Sequence, residues 1–305
     1  MSHEDSATGQ FTPVAARKRL PSRLQVRLSH WGERAGLYLV IVVLAFFFAL
    51  PFIWMASSSL KDDPQTYHVP PIWIPNPLRW ANYPEVLTSL PFGHYFLNTM
   101  TVALPTMAGV LVSSALAAYG FSRIRWRGRD ALFFICLATM MLPFQVRMIP
   151  LFITFRQLGW INTFLPLIVP PLFGDAYFIF MLRQFFMTIP SELSDAAKVD
   201  GCSELGIFTG IILPLSKPAL AVVALFQFMW AWNDYLEPLI YLNDETMFTI
   251  ALGLQLLRAS TQAVSRLVWP YLMAASTATL LPILIIFFFT QRTFVEGISV
   301  TGIKG

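Results

Sequence analysis

The sequence is poor in charge. Only 12% of its 305 residues are Asp, Glu, Lys or Arg, where a soluble domain carries about a quarter. With 56% hydrophobic residues, 27 of the residues being Phe, and a mean hydropathy of +0.60, this shortage excludes an ordinary water-soluble domain. The solvent is lipid, and length counts membrane spans. Cysteine is also scarce. Cys136 lies in an apolar run and Cys202 in a polar one, with no CxxC and no His pair nearby. They cannot form a disulfide framework and read as small packing residues. The four histidines, His3, His30, His68 and His94, are scattered, and no HExxH, GxSxG or paired metal ligands occur. That argues against an integral-membrane enzyme. There is no GxxxxGK(S/T) phosphate loop, so ATP is not bound in that way. No apolar run starts near Met1, so no cleaved signal peptide is expected.

What the chain does have is long apolar runs flanked by basic residues. The pI near 9.2 does not point to nucleic acid, because the Lys and Arg sit beside apolar runs and no helix combines them with base-stacking aromatics. In a membrane protein such charge is first a topology signal. The expected fold is all-α and integral to the membrane, with six transmembrane helices at 35–60, 95–122, 131–155, 162–185, 218–240 and 267–291. Each is long enough for a ~30 Å apolar core at about 1.5 Å per residue. The second contains AGVLVSSALAAYG, whose small residues allow close helix contact in lipid. The third is interrupted by Pro143, Arg147 and Pro150, and the fourth holds Asp175.

Charge sets the orientation. With the N-terminus cytoplasmic, the inside segments 1–34, 122–130, 183–217 and 292–305 hold 6, 4, 3 and 2 of the 21 Lys and Arg. Residues 1–34 then form a cytoplasmic tail with a possible interfacial helix over 22–34. Residues 35–291 form the membrane domain, and 292–305 a second cytoplasmic tail. The segment 61–94 is dense in Pro, Trp and Tyr, which excludes a long helix and reads as an extracytoplasmic lip. A second outer loop, about 241–266, contains a short amphipathic element.

One polar stretch interrupts the apolar runs, PSELSDAAKVDGCSELGIFTGIILP at 190–214. Ser191 is placed to cap a helix, with Glu192 in its first turn and Gly201 to end it. Ser203 and Glu204 start a second helix that runs to Pro214. The expectation is a cytoplasmic two-helix hairpin in which Ala196 and Ala197 form a small flat surface for another protein.

The spacing is specific. Asp195-Ala196-Ala197 is followed by three residues, Gly201, nine residues, and Ile211-Ile212-Leu213-Pro214. This resembles the EAA loop of ABC-importer permeases, with Asp195, a shorter carboxylate, in place of the family's Glu. FMLRQFFMTIPSEL, NTMTVA, LPFQVRMIPLF and QRTFVEGISVTGIKG look like the carbohydrate-importing branch, the maltose and glycerol-phosphate type, and the resemblance covers about 35–305. It implies a six-helix permease in a bacterial-type cytoplasmic membrane, paired with a second homologous permease subunit, two ATPase subunits and an extracytoplasmic sugar-binding protein. The loop becomes the coupling helix that docks on an ATPase subunit, through Asp195, Ala196, Ala197, Asp200, Gly201, Ile211, Leu213 and Pro214. ATP and Mg are then used by the partners. This chain binds no cofactor and performs no covalent chemistry.

Ionisable residues within membrane segments point to function. Arg147 and Asp175 either neutralise each other or line the substrate path. The stretch FQFMWAWNDYLEPL offers Trp230 and Trp232 for stacking on a sugar, and Asn233 and Asp234 for hydrogen bonding. A glycerol phosphate ester or a polyol is the alternative cargo, although an ester would need more basic groups than Arg147. A secondary transporter or channel is a second alternative, but it would need several intramembrane acids or inverted repeats, and neither is evident.

Overall fold

The computed structural model describes the backbone of residues 23–263 and 268–302, and the side chains of 34–62, 64–259 and 269–291. Residues 1–22 of the expected 1–34 tail and the last three residues of the expected 292–305 tail lie outside the described residues. Every regular element among the described residues is helical. Contacts divide the chain into two compact units, Met1–Ile53 and Trp54–Gly305.

Helix α1 (Arg23–Ser59) is continuous. The stretch expected as a separate interfacial helix is the start of it. From Arg34 onward its most apolar window buries nothing, and Leu37, Phe47 and Phe48 are exposed. A helix apolar on every side suits lipid or another membrane chain.

In the second unit, Pro residues limit the 61–91 segment to short helices, Asp63–Thr66 and α2 (Asn82–Ser89). Lys61 is buried with Nζ 3.6 Å from the Trp54 ring centre. Asn82 donates to the Ser59 and Lys61 carbonyls, both at 2.8 Å. Glu85 accepts from the Tyr271 hydroxyl and, at 2.9 Å, from Arg79. These two bonds, the Tyr271 one foremost, hold its carboxyl below the ordinary 4.5. A carboxyl so held stabilises the fold above its ordinary value, and the contribution disappears as pH falls through the folded-state pKa. Glu85→Gln is therefore expected to lower Tm at neutral pH, with the gap to the unaltered protein closing in acid. A gap that widens on acidification would contradict this.

Besides short turns at Leu165–Ile168 and Leu213–Leu215, the helices that follow are α3 (Phe92–Ser122), α4 (Arg129–Thr139), α5 (Phe144–Gln157), α6 (Ala176–Thr188), α7 (Ser191–Val199), α8 (Glu204–Ile207), α9 (Lys217–Asn233), α10 (Leu236–Tyr241), α11 (Ile250–Ala263) and α12 (Val268–Gly302). Among the described residues, four stretches are long and apolar enough to cross a membrane: Arg34–Ser59, Phe92–Ser122, Leu165–Thr188 and Trp269–Gln291. Two bent pairs qualify as units, α4 with α5 at 93°, and Glu204–Leu215 with α9 at 79°.

The third expected span is thus sharply broken. Pro143 keeps Leu142 out of the helical region, and Pro143 itself is extended (φ −63°, ψ 146°). The fourth starts as Leu165–Ile168 and a 3-10 turn, Pro170–Phe173, then restarts at α6 after Gly174. The fifth stops at Asn233, short of the expected 240, because Asp234 turns extended and its carboxylate accepts from Leu236 N–H (3.1 Å) at the start of α10. The amphipathic element expected in 241–266 is α11.

Helix α3 is the hub, packing against α6, α9 and the Pro170–Phe173 turn. Its small residues make this possible: Ala103, Ser114, Ala115 and Ala118 are fully buried. At Gly109 a Cβ would lie 2.2 Å from Leu172 Cδ2 and 3.2 Å from Leu172 Cα, so only glycine admits the turn. The NTMTVA motif starts this contact surface. Asn98 donates to the Thr246 and Phe248 carbonyls, and Thr99 Oγ1 accepts from Ile250 N–H at 2.9 Å.

Candidate functional site

The 190–214 hairpin is built from local sequence. Helix α7 begins at Ser191, with Pro190 before it and no side-chain cap, so Ser191 is the first helical residue and not the cap. Its end follows the expected chemistry. Gly201 takes φ +81°, its N–H donates to Lys198 O (3.1 Å), and Cys202 N–H donates to Ala197 O (2.9 Å). This paired closure needs a left-handed residue. Ser203 Oγ accepts from Gly206 N–H at 3.1 Å and starts α8. The helix then widens into a π turn, Phe208–Ile212, just before Pro214. Pro214 has no N–H for the Gly210 carbonyl and its ring crowds that carbonyl, and the wider turn relieves both.

The two alanines do not form one flat surface. Successive helical residues are about 100° apart. Ala197 is buried with Ile207, Phe208 and Ile212 in a core shared with Ala118 of α3 and Phe186 of α6. Ala196, Asp195 and Asp200 are exposed. Ile211 and Leu213 pack partly against that core, and Pro214 is exposed. The outward apolar residues include Val199, 88% exposed, Leu205, 64% exposed, and Leu193, 44% exposed. Cys202 is exposed and does not pack.

A polar clamp joins the hairpin to the bundle. Lys198 Nζ lies 2.8 Å from Glu204 Oε1, pairing the two hairpin helices. The Tyr119 hydroxyl, near the end of α3, donates to Glu204 Oε2 at 2.6 Å. The Arg123 guanidinium donates to the Phe186 and Ile189 carbonyls, where α6 runs into the hairpin. Sequence reasoning counted Arg123 only as a topology charge and missed Tyr119. No periodicity links residues 85 positions apart.

Arg147, Asp175, Trp230, Asn233 and Asp234 line one cavity of about 610 Å³, within the ~300–1,000 Å³ of small-ligand pockets. Asp175 is extended (φ −119°, ψ 133°) and caps α6, its Oδ1 accepting from Tyr177 N–H (2.9 Å) and Phe178 N–H (3.3 Å). Its own N–H donates to Ser114 Oγ of α3. Asn233 turns back and donates to Met229 O at 2.7 Å. Trp230 is half exposed and packs on Phe178, ring centres 5.0 Å apart.

Two expectations differ from this geometry. Trp232 is buried between Phe228 and Phe96 and does not line the cavity. It lies two residues from Trp230, on another face of α9. Of the two readings of Arg147 and Asp175, the mutual ion pair is not formed, and both residues line the cavity. Sequence reasoning passed over Glu237, Gln227, Tyr241 and Thr249, all on the cavity wall. Glu237 had the signal that marked Asp175, an acid inside an apolar segment. No cluster of metal-ligand residues occurs among the described residues.

A profile of the binding-protein-dependent transport system inner membrane component family matches residues 109–300. That range includes the hairpin and all the cavity lining except Val102 and Thr106. The chain is 34% identical over 266 residues to the sn-glycerol-3-phosphate transport system permease protein UgpE of Yersinia enterocolitica, covering 85% of this chain and 93% of that one. It is 32% identical over 271 residues to the arabinooligosaccharides transport system permease protein AraQ of Halalkalibacterium halodurans, with 86% and 93% covered. Its fold is similar to a chain in the crystal structure of a bacterial ABC transporter involved in the import of the acidic polysaccharide alginate. There the TM-score is 0.74 at 22% identity, covering 93% of this chain and 100% of that one. With its apolar helices, hairpin and cavity, the chain belongs to the binding-protein-dependent transport system inner membrane components, as a permease subunit of an ABC importer.

Proposed function

We propose that this subunit forms one half of a carbohydrate translocation path and is driven through the hairpin at 190–214. The observation that carries the reading is the hairpin itself. It has the full EAA-type spacing and an exposed apolar face, and it is clamped to the same α3 whose Thr106 and Val110 line the cavity. Each bent pair counts as one span in this reading, which makes six, with residues 1–34, the hairpin and 292–305 cytoplasmic. A second homologous permease completes the path, two ATPase subunits bind and hydrolyse ATP with Mg, and an extracytoplasmic binding protein delivers the sugar. Coupling runs through the exposed Asp195, Ala196, Asp200 and Pro214, with Ala197, Gly201, Ile211 and Leu213 holding the hairpin's shape. Arg147, Asp175, Trp230, Asn233 and Asp234 belong to the path.

ATPase closure moves the hairpin, α3 and α6 follow, and the cavity changes the side to which it opens. Reconstitution in liposomes tests this. ATP hydrolysis is expected to rise with sugar-loaded binding protein only when both permeases and the ATPase subunits are present. Transport by the purified chain alone would instead establish a secondary transporter or channel.

A glycerol phosphate ester is the second reading, favoured by the similarity to UgpE. The charge of the cavity bears on that choice.

A further inference from the structure

We propose that the cavity is a subsite for uncharged or amine-bearing sugars and that it rejects phosphorylated and uronic ones. This rests on the carbohydrate-import reading above. The cavity wall carries one guanidinium, Arg147, against three carboxylates, Asp175, Asp234 and Glu237. Two of the carboxylates are held in place by backbone. Asp175 receives Tyr177 and Phe178 N–H through Oδ1, and Asp234 receives Leu236 and Glu237 N–H through Oδ1. In each, Oδ2 remains to accept from a hydroxyl or an ammonium group.

Two further residues of the wall point to a ligand. Tyr241 and Thr249 are each 1% exposed, and their hydroxyls have no hydrogen-bond partner. Buried polar groups are rarely left unpaired, and a polyhydroxylated ligand supplies both donors and acceptors. Trp230 offers an aromatic face for the C–H side of a sugar ring, and the same face attracts a cationic amine. A phosphate ester near pH 7 brings close to two negative charges. On this subunit's half of the path such an anion finds a single cationic partner, Arg147, set among three carboxyl groups.

The test uses the purified complex of both permeases and the ATPase subunits. The binding protein is omitted so that its own selectivity does not enter. Saturation-transfer NMR is recorded with maltose, glucosamine and sn-glycerol 3-phosphate. Maltose and glucosamine are expected to give signals, with binding about tenfold weaker in Trp230→Ala. Trp230→Phe, which keeps an aromatic face, is expected to restore most of it. Glu237→Gln is expected to weaken glucosamine more than maltose. A glycerol 3-phosphate signal that Trp230→Ala abolishes would overturn the proposal, as would the absence of any Trp230-dependent signal from the two sugars. Adding binding proteins loaded with carbohydrate to the same complex separates the two readings. If ATP hydrolysis responds while the cavity probes fail, only the subsite proposal falls. If no carbohydrate evokes hydrolysis, the import reading falls with it.

Discussion

Val199→Asp is expected to abolish ATP-driven transport while leaving the subunit folded and inserted. Val199 is 88% exposed at the end of α7, and Leu205 at 64% stands beside the same turn. A change at so exposed a side chain costs the isolated subunit within about 0.5 kcal/mol. In a docked complex the same change removes an apolar contact and buries a carboxylate next to Asp200. A desolvated, unpaired charge at an interface costs about 2–5 kcal/mol, and each 1.4 kcal/mol is about tenfold in affinity. Retention of the ATPase subunits through purification is the direct readout, with binding-protein-stimulated hydrolysis as the second. Val199→Ile, which keeps the apolar surface, is expected to behave as the unaltered protein. If Val199→Asp retains its ATPase subunits and transports normally, the hairpin docks by another face.

Arg123→Ala should produce the second large effect, on stability and on coupling together. The guanidinium satisfies the carbonyls of Phe186 and Ile189, where α6 leads into α7. Phe186 is fully buried and Ile189 nearly so, which leaves little water to replace the lost donors. Each hydrogen bond to a charged group contributes about 1.5–3 kcal/mol, so losing both costs roughly 3 kcal/mol or more. At about 2–4 °C per kcal/mol for a chain of this size, Tm in detergent falls by roughly 6 °C or more. Arg123→Lys recovers only part of this, because an ammonium lacks the planar fork that spans two carbonyls. The ratio of sugar moved to ATP hydrolysed is expected to fall as well, because, among the described residues, α3 then keeps only Tyr119, bonded to Glu204, as a polar tie to the hairpin. An unchanged Tm with unchanged coupling would show that the clamp is incidental.

The hairpin was legible because its determinants are local. Gly201, Ser203 and Pro214 act within a few residues of themselves, through a left-handed cap, an N-cap and a missing N–H. The apolar helices were legible for a similar reason, since lipid requires each span to satisfy its own backbone. Which alanine faces outward was harder to read. Both fit a small-residue motif, and only packing on α3 and α6 buries Ala197 and leaves Ala196 bare.

By itself the sequence determined that the chain is helical and membrane-embedded, has no GxxxxGK(S/T) stretch, and carries one polar stretch at 190–214 between apolar runs. Those properties follow from composition and from spacings of a few residues. The tertiary structure alone decided that Arg147 and Asp175 line one cavity without forming an ion pair, that Trp230 lines the cavity while Trp232 is core, and that Tyr119 and Arg123 hold the hairpin. Each depends on the rotation of one helix against another. That rotation is set by which small residues, such as Gly109 against Leu172, permit close approach, and no local pattern of charge or hydropathy encodes it.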